Sequence, residues 1–275
     1  MVIAVDDAGD PRLAAYRGVA DPVRLRREGL FVVEGRQVVR VLLAASRFRV
    51  RSLLVNRAAL DALADSLAPR LADLDAYLAP QAIFAALTGY DINRGCLAIA
   101  ERPVTARLDE WLHGAPAARL LVAAEGIVNP DNLGGLFRNA FAFGADALLV
   151  GPSCADPLYR KTIRVSMGAA LSVPSLDAVP WPDCLRSLST RGFTVAALAT
   201  GAGAVPIEDL ARQPPDRLVL VAGSEGAGLT PAALAAATLS VRIPMAPGVD
   251  SLNVATATGI ALHRLAGVTL HPCPR

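Results

Sequence analysis

The stretch LLVAAEGIVNPDNLGGLFRNAFAFGADALLV, Leu120 to Val150, decides the fold. It opens on an apolar run of strand length, Leu120 to Ala123, and closes on another, Ala147 to Val150. Between them Leu133, Leu136, Phe137, Ala140 and Phe141 recur on one face of a helix, with Asp131 or Asn132 available to cap its start. Downstream the alternation continues, with strand-like Phe193 to Leu198, Leu218 to Val221 and Val241 to Ile243 and helical segments between most of them. Short apolar strands separated by helices imply a parallel sheet covered on both faces, hence an α/β domain. Pro174 to Gly192, with Trp181 and Cys184, reads as a helix covering that sheet.

Sites in parallel sheets lie beyond the carboxyl ends of the strands, so the loops after the strands hold the chemistry. Three of them are unusual. In Asn129 to Asp146, Arg138 falls off the apolar stripe, where a guanidinium suits a phosphate or an oxyanion; an ordinary exposed arginine would look the same. In LVLVAGSEGAGL, Leu218 to Leu229, an apolar strand runs into glycines that permit close backbone approach to a ligand, before a helix opening at Thr230-Pro231. Neither the GxGxxG order of dinucleotide folds nor the GK[ST] of a phosphate loop is present. In VRIPMAPGVDSLNVATATGIALHRL, Val241 to Leu265, the chain turns at Pro247-Gly248, and Asp250 or Ser251 caps a helix of small residues that can pack closely on a neighbour.

A second region lies in front, separated near Glu101 to Pro116. Strand-like Leu30 to Val33, Arg51 to Val55 and Cys96 to Ala100, with helical Arg36 to Ala45 and Ala58 to Ala68, make it a small mixed α/β module. Net charge is only +2 over 275 residues, yet eleven arginines between Arg12 and Arg57 face just Asp21, Glu28 and Glu34. Such a basic segment is the footprint of a phosphate-binding surface or, as readily, of a solvated helix face. Cys96, Cys154, Cys184 and Cys273 form no CxxC pair, and His113, His263 and His271 are scattered, so no disulfide framework or metal site is expected. Cys154 suits a small buried position better than a nucleophile's. Asp6, Asp7 and Asp10 stand where a signal peptide would be basic, and no apolar run reaches bilayer length, so a soluble, cytoplasmic protein is expected.

The three loops, N-x-x-N-x-G-x-x-x-R, then G-S-E-G-x-G-L, then I-P-M followed by S-L-N-V, resemble the signature motifs of the SpoU (TrmH-like) branch of the SPOUT methyltransferases, over Leu120 to Leu265. The front region, through FVVEGRQVVRVLL (Phe31 to Leu43) and GCLAIAERP (Gly95 to Pro103), resembles the ribosomal-protein-like substrate-binding domain that often precedes this catalytic domain. The resemblance implies an RNA substrate-binding domain over 1–106 and a catalytic domain over 117–275 whose chain forms a trefoil knot, acting as a homodimer. It implies transfer of a methyl group from S-adenosylmethionine to a ribose 2′-hydroxyl of structured RNA, rRNA before tRNA, without a metal. By the same resemblance Asn132, Arg138, Glu225 and Asn253 surround the transfer site. The resemblance likewise implies a cofactor pocket formed by Leu198, Ala199, Gly223, Ser224, Glu225, Gly226, Ile243, Pro244, Met245, Ser251, Leu252 and Asn253. RNA contacts are expected from Arg24, Arg26, Arg27 and Arg36 and from Lys161 and Arg164, where a solvated helix fits as well. An RNA-binding protein of this fold without turnover, and a resistance methyltransferase acting on rRNA, share these motifs; the absent GxGxxG disfavours a dehydrogenase.

Overall fold

The structure, a computed structural model, describes residues 1–89, 95–201 and 203–265. The elements of the front part are β1 (Val2–Ala4), α1 (Pro22–Arg27), β2 (Leu30–Glu34), α2 (Arg36–Ala44), β3 (Val50–Val55), α3 (Arg57–Ala62), α4 (Ala64–Leu67), β4 (Asp75–Leu78), α5 (Gln81–Thr88) and β5 (Cys96–Glu101). There follow α6 (Leu108–Gly114), β6 (Leu120–Ala124), α7 (Pro130–Ala142), β7 (Ala147–Val150), α8 (Arg160–Val165), α9 (Ala169–Ser172), β8 (Ser175–Asp177) and α10 (Asp183–Thr190). The chain continues through β9 (Thr194–Leu198), β10 (Val205–Pro206), α11 (Ile207–Arg212), β11 (Leu218–Ala222), α12 (Pro231–Ala236), β12 (Leu239–Arg242) and α13 (Val254–Leu265).

Two compact units form: Met1–Val104 with Leu158–Ser172, and Thr105–Pro157 with Val173–Arg275. A linear division into 1–106 and 117–275 leaves Leu158–Ser172 in the second piece, whereas packing puts it in the first unit. The reason is apolar: Ile163 of α8 and Leu171 of α9 are buried in one core with Val39 and Leu42 of α2 and Val33 of β2.

The first unit is a five-stranded sheet ordered β1-β4-β3-β5-β2, with β5 antiparallel to both its neighbours and the other pairs parallel. Alternate residues of β2 feed opposite cores. Phe31 and Val33 join α2, α3, α8 and α9, while Leu30 and Val32 join α1, α5 and the turn carrying Leu13 and Tyr16. The helix expected over Ala58 to Ala68 is broken at Leu63, which leaves helical geometry (φ −107°, ψ 4°) and is fully buried.

The second unit is a seven-stranded sheet ordered β10-β12-β9-β11-β6-β7-β8, parallel at every pairing. On one face, alternate residues such as Leu121, Leu149, Val195 and Val219 pack with α6, α10 and α12; α7 and α13 lie against β7 and β11 and against each other. Several expectations are corrected here. Pro174 to Gly192 contains the edge strand β8 before its helix, since Ser175–Asp177 pairs with Leu148–Val150. The last strand spans Leu239–Arg242, in register with β9, and leaves Ile243 in the loop beyond it. Phe141 is 59% exposed although Leu133, Leu136, Phe137 and Ala140 are fully buried, because it sits at the far edge of the helical stripe.

Candidate active site

The carboxyl ends of β9, β11 and β12 and the start of α13 enclose a cavity of about 520 Å³. That lies within the roughly 300–1,000 Å³ typical of small-molecule sites. Of the residues expected in a cofactor pocket, Leu198, Ala199, Gly223, Ser224, Glu225, Gly226, Ile243, Met245, Ser251, Leu252 and Asn253 line it, and Pro244 does not. Thr200, Ala222, Gly228, Val241, Val254 and Ala257, outside that expected set, line the cavity as well. Most of these adjoin strand ends already singled out, and Ala257 stands one helical turn beyond Asn253.

The glycine loop is a closed hairpin. Ser224 N–H donates to Gly228 O (3.2 Å), Gly228 N–H returns to Ser224 O (3.1 Å), and the Ser224 hydroxyl donates to Gly228 O as well (3.2 Å). A Cβ on Gly223 would stand 2.5 Å from Gly228 C and Leu229 N, so a side chain there would open the loop. Gly228 has φ +69°, a left-handed conformation that L side chains rarely adopt.

Asn253 is the hub of the site. Its Oδ1 accepts from Ala255 N–H (3.0 Å) and Thr256 N–H (3.2 Å), capping α13. Its Nδ2 donates to Asn132 Oδ1 (2.9 Å) and Glu225 Oε1 (2.8 Å). All four bonds available to a side-chain amide are thereby used, which settles which way it points. The cap is thus Asn253, not Asp250 or Ser251. Likewise α7 is capped by Asn129, whose Oδ1 accepts from Asp131 N–H (2.9 Å), not by Asp131 or Asn132. Pro130 at the first helical position is the sequence signal for that cap. Asn132, relieved of capping, is buried and points to Asn253.

Helices α7 and α13 meet through small residues. A Cβ on Gly135 would fall 2.6 Å from the Ala255 Cβ, and one on Gly259 would fall 3.1 Å from Asn139 Nδ2. Asn139 Nδ2 crosses this contact to donate to Ala255 O (2.6 Å). Arg138 does not line the cavity; it is exposed on α7, about 9 Å along the axis from Asn132 at 1.5 Å per residue.

Cys154 is tied to the end of β6, its thiol donating to Ala124 O (3.4 Å) and accepting from Ile127 N–H (3.4 Å), and burial pushes that thiol up from its ordinary value. Burial likewise pushes Cys96 up to about 12 and Cys184 to about 11. These are inert, packed thiols. Among the described residues no three His, Cys, Asp or Glu converge as metal ligands, and no helix is long and apolar enough to cross a membrane. Cys273 and His271 lie outside the described residues.

The six residues expected to touch RNA all belong to the first unit, but on two sides of its sheet. Arg24, Arg26 and Arg27 ride on α1, on one face; Arg36 begins α2, and Lys161 and Arg164 sit on α8, on the other. Arg24 is engaged with its own fold, donating to Arg17 O (2.5 Å) and Ala15 O (3.3 Å). Three carboxylates outside the segment offset part of the local basic excess: Asp65 pairs with Arg40, Glu101 with both Arg49 and Arg51, and Asp10 with Arg12.

The chain is 39% identical to an uncharacterized tRNA/rRNA methyltransferase of Mycobacterium bovis, over 94% of this chain and 90% of that protein. It is 34% identical to the 23S rRNA (guanosine-2'-O-)-methyltransferase RlmB of Ralstonia nicotianae, over 64% of this chain and 70% of that one. In fold it is similar to an AdoMet-bound rRNA methyltransferase from Sinorhizobium meliloti, with TM-score 0.81, 24% identity and coverage of 98% and 99% of the two chains. The SpoU methyltransferase AviRb from Streptomyces viridochromogenes superposes with TM-score 0.77, at 24% identity over 94% of this chain and 96% of that one. Residues 119–263, which contain the cavity, the glycine loop and the Asn132–Asn253–Glu225 cluster, match the SpoU rRNA Methylase family, and the chain belongs to it.

Proposed function

We propose that the protein transfers a methyl group from S-adenosylmethionine to a ribose 2′-hydroxyl of structured RNA, with rRNA the favoured substrate. The observation that carries this reading is the Asn132–Asn253–Glu225 cluster, of which Glu225 and Asn253 line a cavity of about 520 Å³. The fit of the cofactor rests on the cavity itself. Its size suits a nucleoside joined to an amino acid, and its walls combine apolar Leu198, Ile243 and Leu252 with the open backbone of the glycine loop. Bound there, S-adenosylmethionine supplies a methyl group activated by its positive sulfur.

The chain's own residues then have to orient the attacking hydroxyl and deal with its proton. Asn253, locked by four hydrogen bonds, sets the position of Glu225 at the mouth. Arg138 presents an exposed guanidinium, a planar fork of N–H donors with no acceptor, so it serves as a clamp on the adjacent phosphate and on charge growing at the oxygen, not as a base. The proton leaves to that phosphate or to water. Since Arg138 stands away from its own cavity, a homodimer is part of the proposal, with Arg138 of one chain serving the cavity of the other. Phe141 (59% exposed) on α7 and Ile260 (36%) on α13 mark the apolar surface available for it. In the first unit Arg36, Lys161 and Arg164, on helices of one face, are proposed to hold RNA.

Labelled methyl transfer to RNA lacking the modification, followed by digestion and nucleoside mass spectrometry, tests the reading. A 2′-O-methylnucleoside in the rRNA fraction is expected with wild type and none with Arg138→Ala. A methylated base would overturn the ribose assignment, and label confined to tRNA would overturn the choice of substrate.

A further inference from the structure

Glu125 is a buried carboxylate, 5% exposed, that the methyl-transfer reading leaves unused. It sits one residue past β6, the strand beside β11, at the carboxyl edge of the second sheet. Its Oε1 accepts from the Trp181 indole N–H (2.6 Å) and the Thr230 hydroxyl (2.8 Å), and its Oε2 accepts from Thr230 N–H (2.8 Å). The direction of these bonds is set by chemistry. Indole and backbone N–H can only donate, and the Thr230 hydroxyl already accepts from Ala233 N–H (3.2 Å) while capping α12. The backbone of Glu125 makes one further bond, its N–H donating to Ala222 O (2.9 Å).

Those partners bracket the glycine loop. Ala222 is the last residue before it and Thr230 the first after it, so one residue just beyond the neighbouring strand grips both ends. Trp181 holds the carboxylate from a third side and packs against Gly151, where a Cβ would fall 3.3 Å from the indole Cε3. We propose that Glu125 is a positioning residue for the cofactor, fixing the span between Ala222 and Thr230 so that the loop holds its ligand-binding shape before the ligand arrives. The proposal rests on the reading of the cavity as an S-adenosylmethionine site. Glu125 touches no substrate; it acts through Thr230.

The test is calorimetric titration of S-adenosylhomocysteine into the whole protein, with RNA affinity measured separately by filter binding. Glu125→Gln keeps the shape of the side chain but sets an amide N–H against a donor. It is expected to weaken S-adenosylhomocysteine about tenfold or more, the worth of one hydrogen bond to a carboxylate, with RNA affinity unchanged. In turnover, KM for S-adenosylmethionine rises and kcat is retained. Should Glu125→Gln fail to fold, Thr230→Val reads the same link, weakening the ligand, while Thr230→Ser restores it. Wild-type protein that binds no S-adenosylhomocysteine would sink the cavity assignment itself. If wild type binds and both Glu125→Gln and Thr230→Val bind equally well, the positioning role is wrong and Glu125 serves only to hold the fold.

Discussion

Asn253 does two jobs that a substitution can separate. As the cap of α13 it satisfies two backbone donors, and replacing such a cap with Ala costs about 0.5–2 kcal/mol. Through Nδ2 it also fixes Asn132 and Glu225. Asn253→Ala is therefore expected to lower both stability and methyl transfer, whereas Asn253→Ser, which keeps a capping oxygen but not the amide donors, retains stability in urea melts and still loses activity. Equal loss of activity and stability in the Ser variant would contradict this division of labour. The thiols give a second residue-level expectation. Cys96 and Cys184, fully or nearly buried and pushed to about 12 and about 11, carry almost no thiolate at pH 8. Peptide mapping after iodoacetamide treatment should find both unmodified in folded protein and both modified in denaturant.

At the scale of elements, the contact between α7 and α13 carries the Asn132–Asn253 bond, so its spacing controls the site. Gly135→Ala gains about 1 kcal/mol of helix propensity, but overpacking a close contact costs about 1–3 kcal/mol. With the new Cβ 2.6 Å from that of Ala255, the clash wins. Gly135→Ala is expected to destabilise the protein and lower its activity, and adding Ala255→Gly to recover both, as denaturant melts and methyl-transfer assays would show. Failure of the second change to rescue would mean that the helices do not meet there. The strands at this scale were readable because each buried run repeats Leu, Val and Ala. Val2–Ala4, Ser175–Asp177 and Val205–Pro206 were not, since strands of two or three residues carry too little pattern and exist only because a neighbour offers its hydrogen bonds, nor was Asp75–Leu78, whose Asp75 and Tyr77 interrupt the apolar run.

For the whole molecule, the return of Leu158–Ser172 to the first unit has a consequence. A fragment beginning at Thr105 keeps α8 and α9 but lacks the core that buries Ile163 and Leu171. It is expected to bind a hydrophobic dye and to aggregate unless these are made polar, which light scattering would register. The proposed sharing of sites between two chains makes a sharper prediction. Arg138→Ala and Glu225→Ala proteins, each inactive alone, should regain activity when mixed and allowed to exchange, because one site of each mixed dimer is then intact. No recovery despite proven exchange would place Arg138 and Glu225 of the same chain in one site.

What the amino-acid sequence determined by itself was the local and periodic: the α/β class, the parallel sheet, and the loops where chemistry collects. Hydrophobic period and glycine or proline punctuation act over a few residues and can be read along the chain. The letters Asn132, Glu225 and Asn253 were legible as motifs, but their joining through one amide was not, since the partners are separated by long stretches of chain. The same holds for Glu125, which has no spacing to mark it and gains its meaning only from Trp181 and Thr230 brought to it by the sheet. The basic front segment changed most. Folding draws in Asp65 and Glu101 to pair with its arginines and divides the remainder between two faces. Charge along a chain adds up locally, whereas charge on a surface depends on which distant groups packing brings alongside.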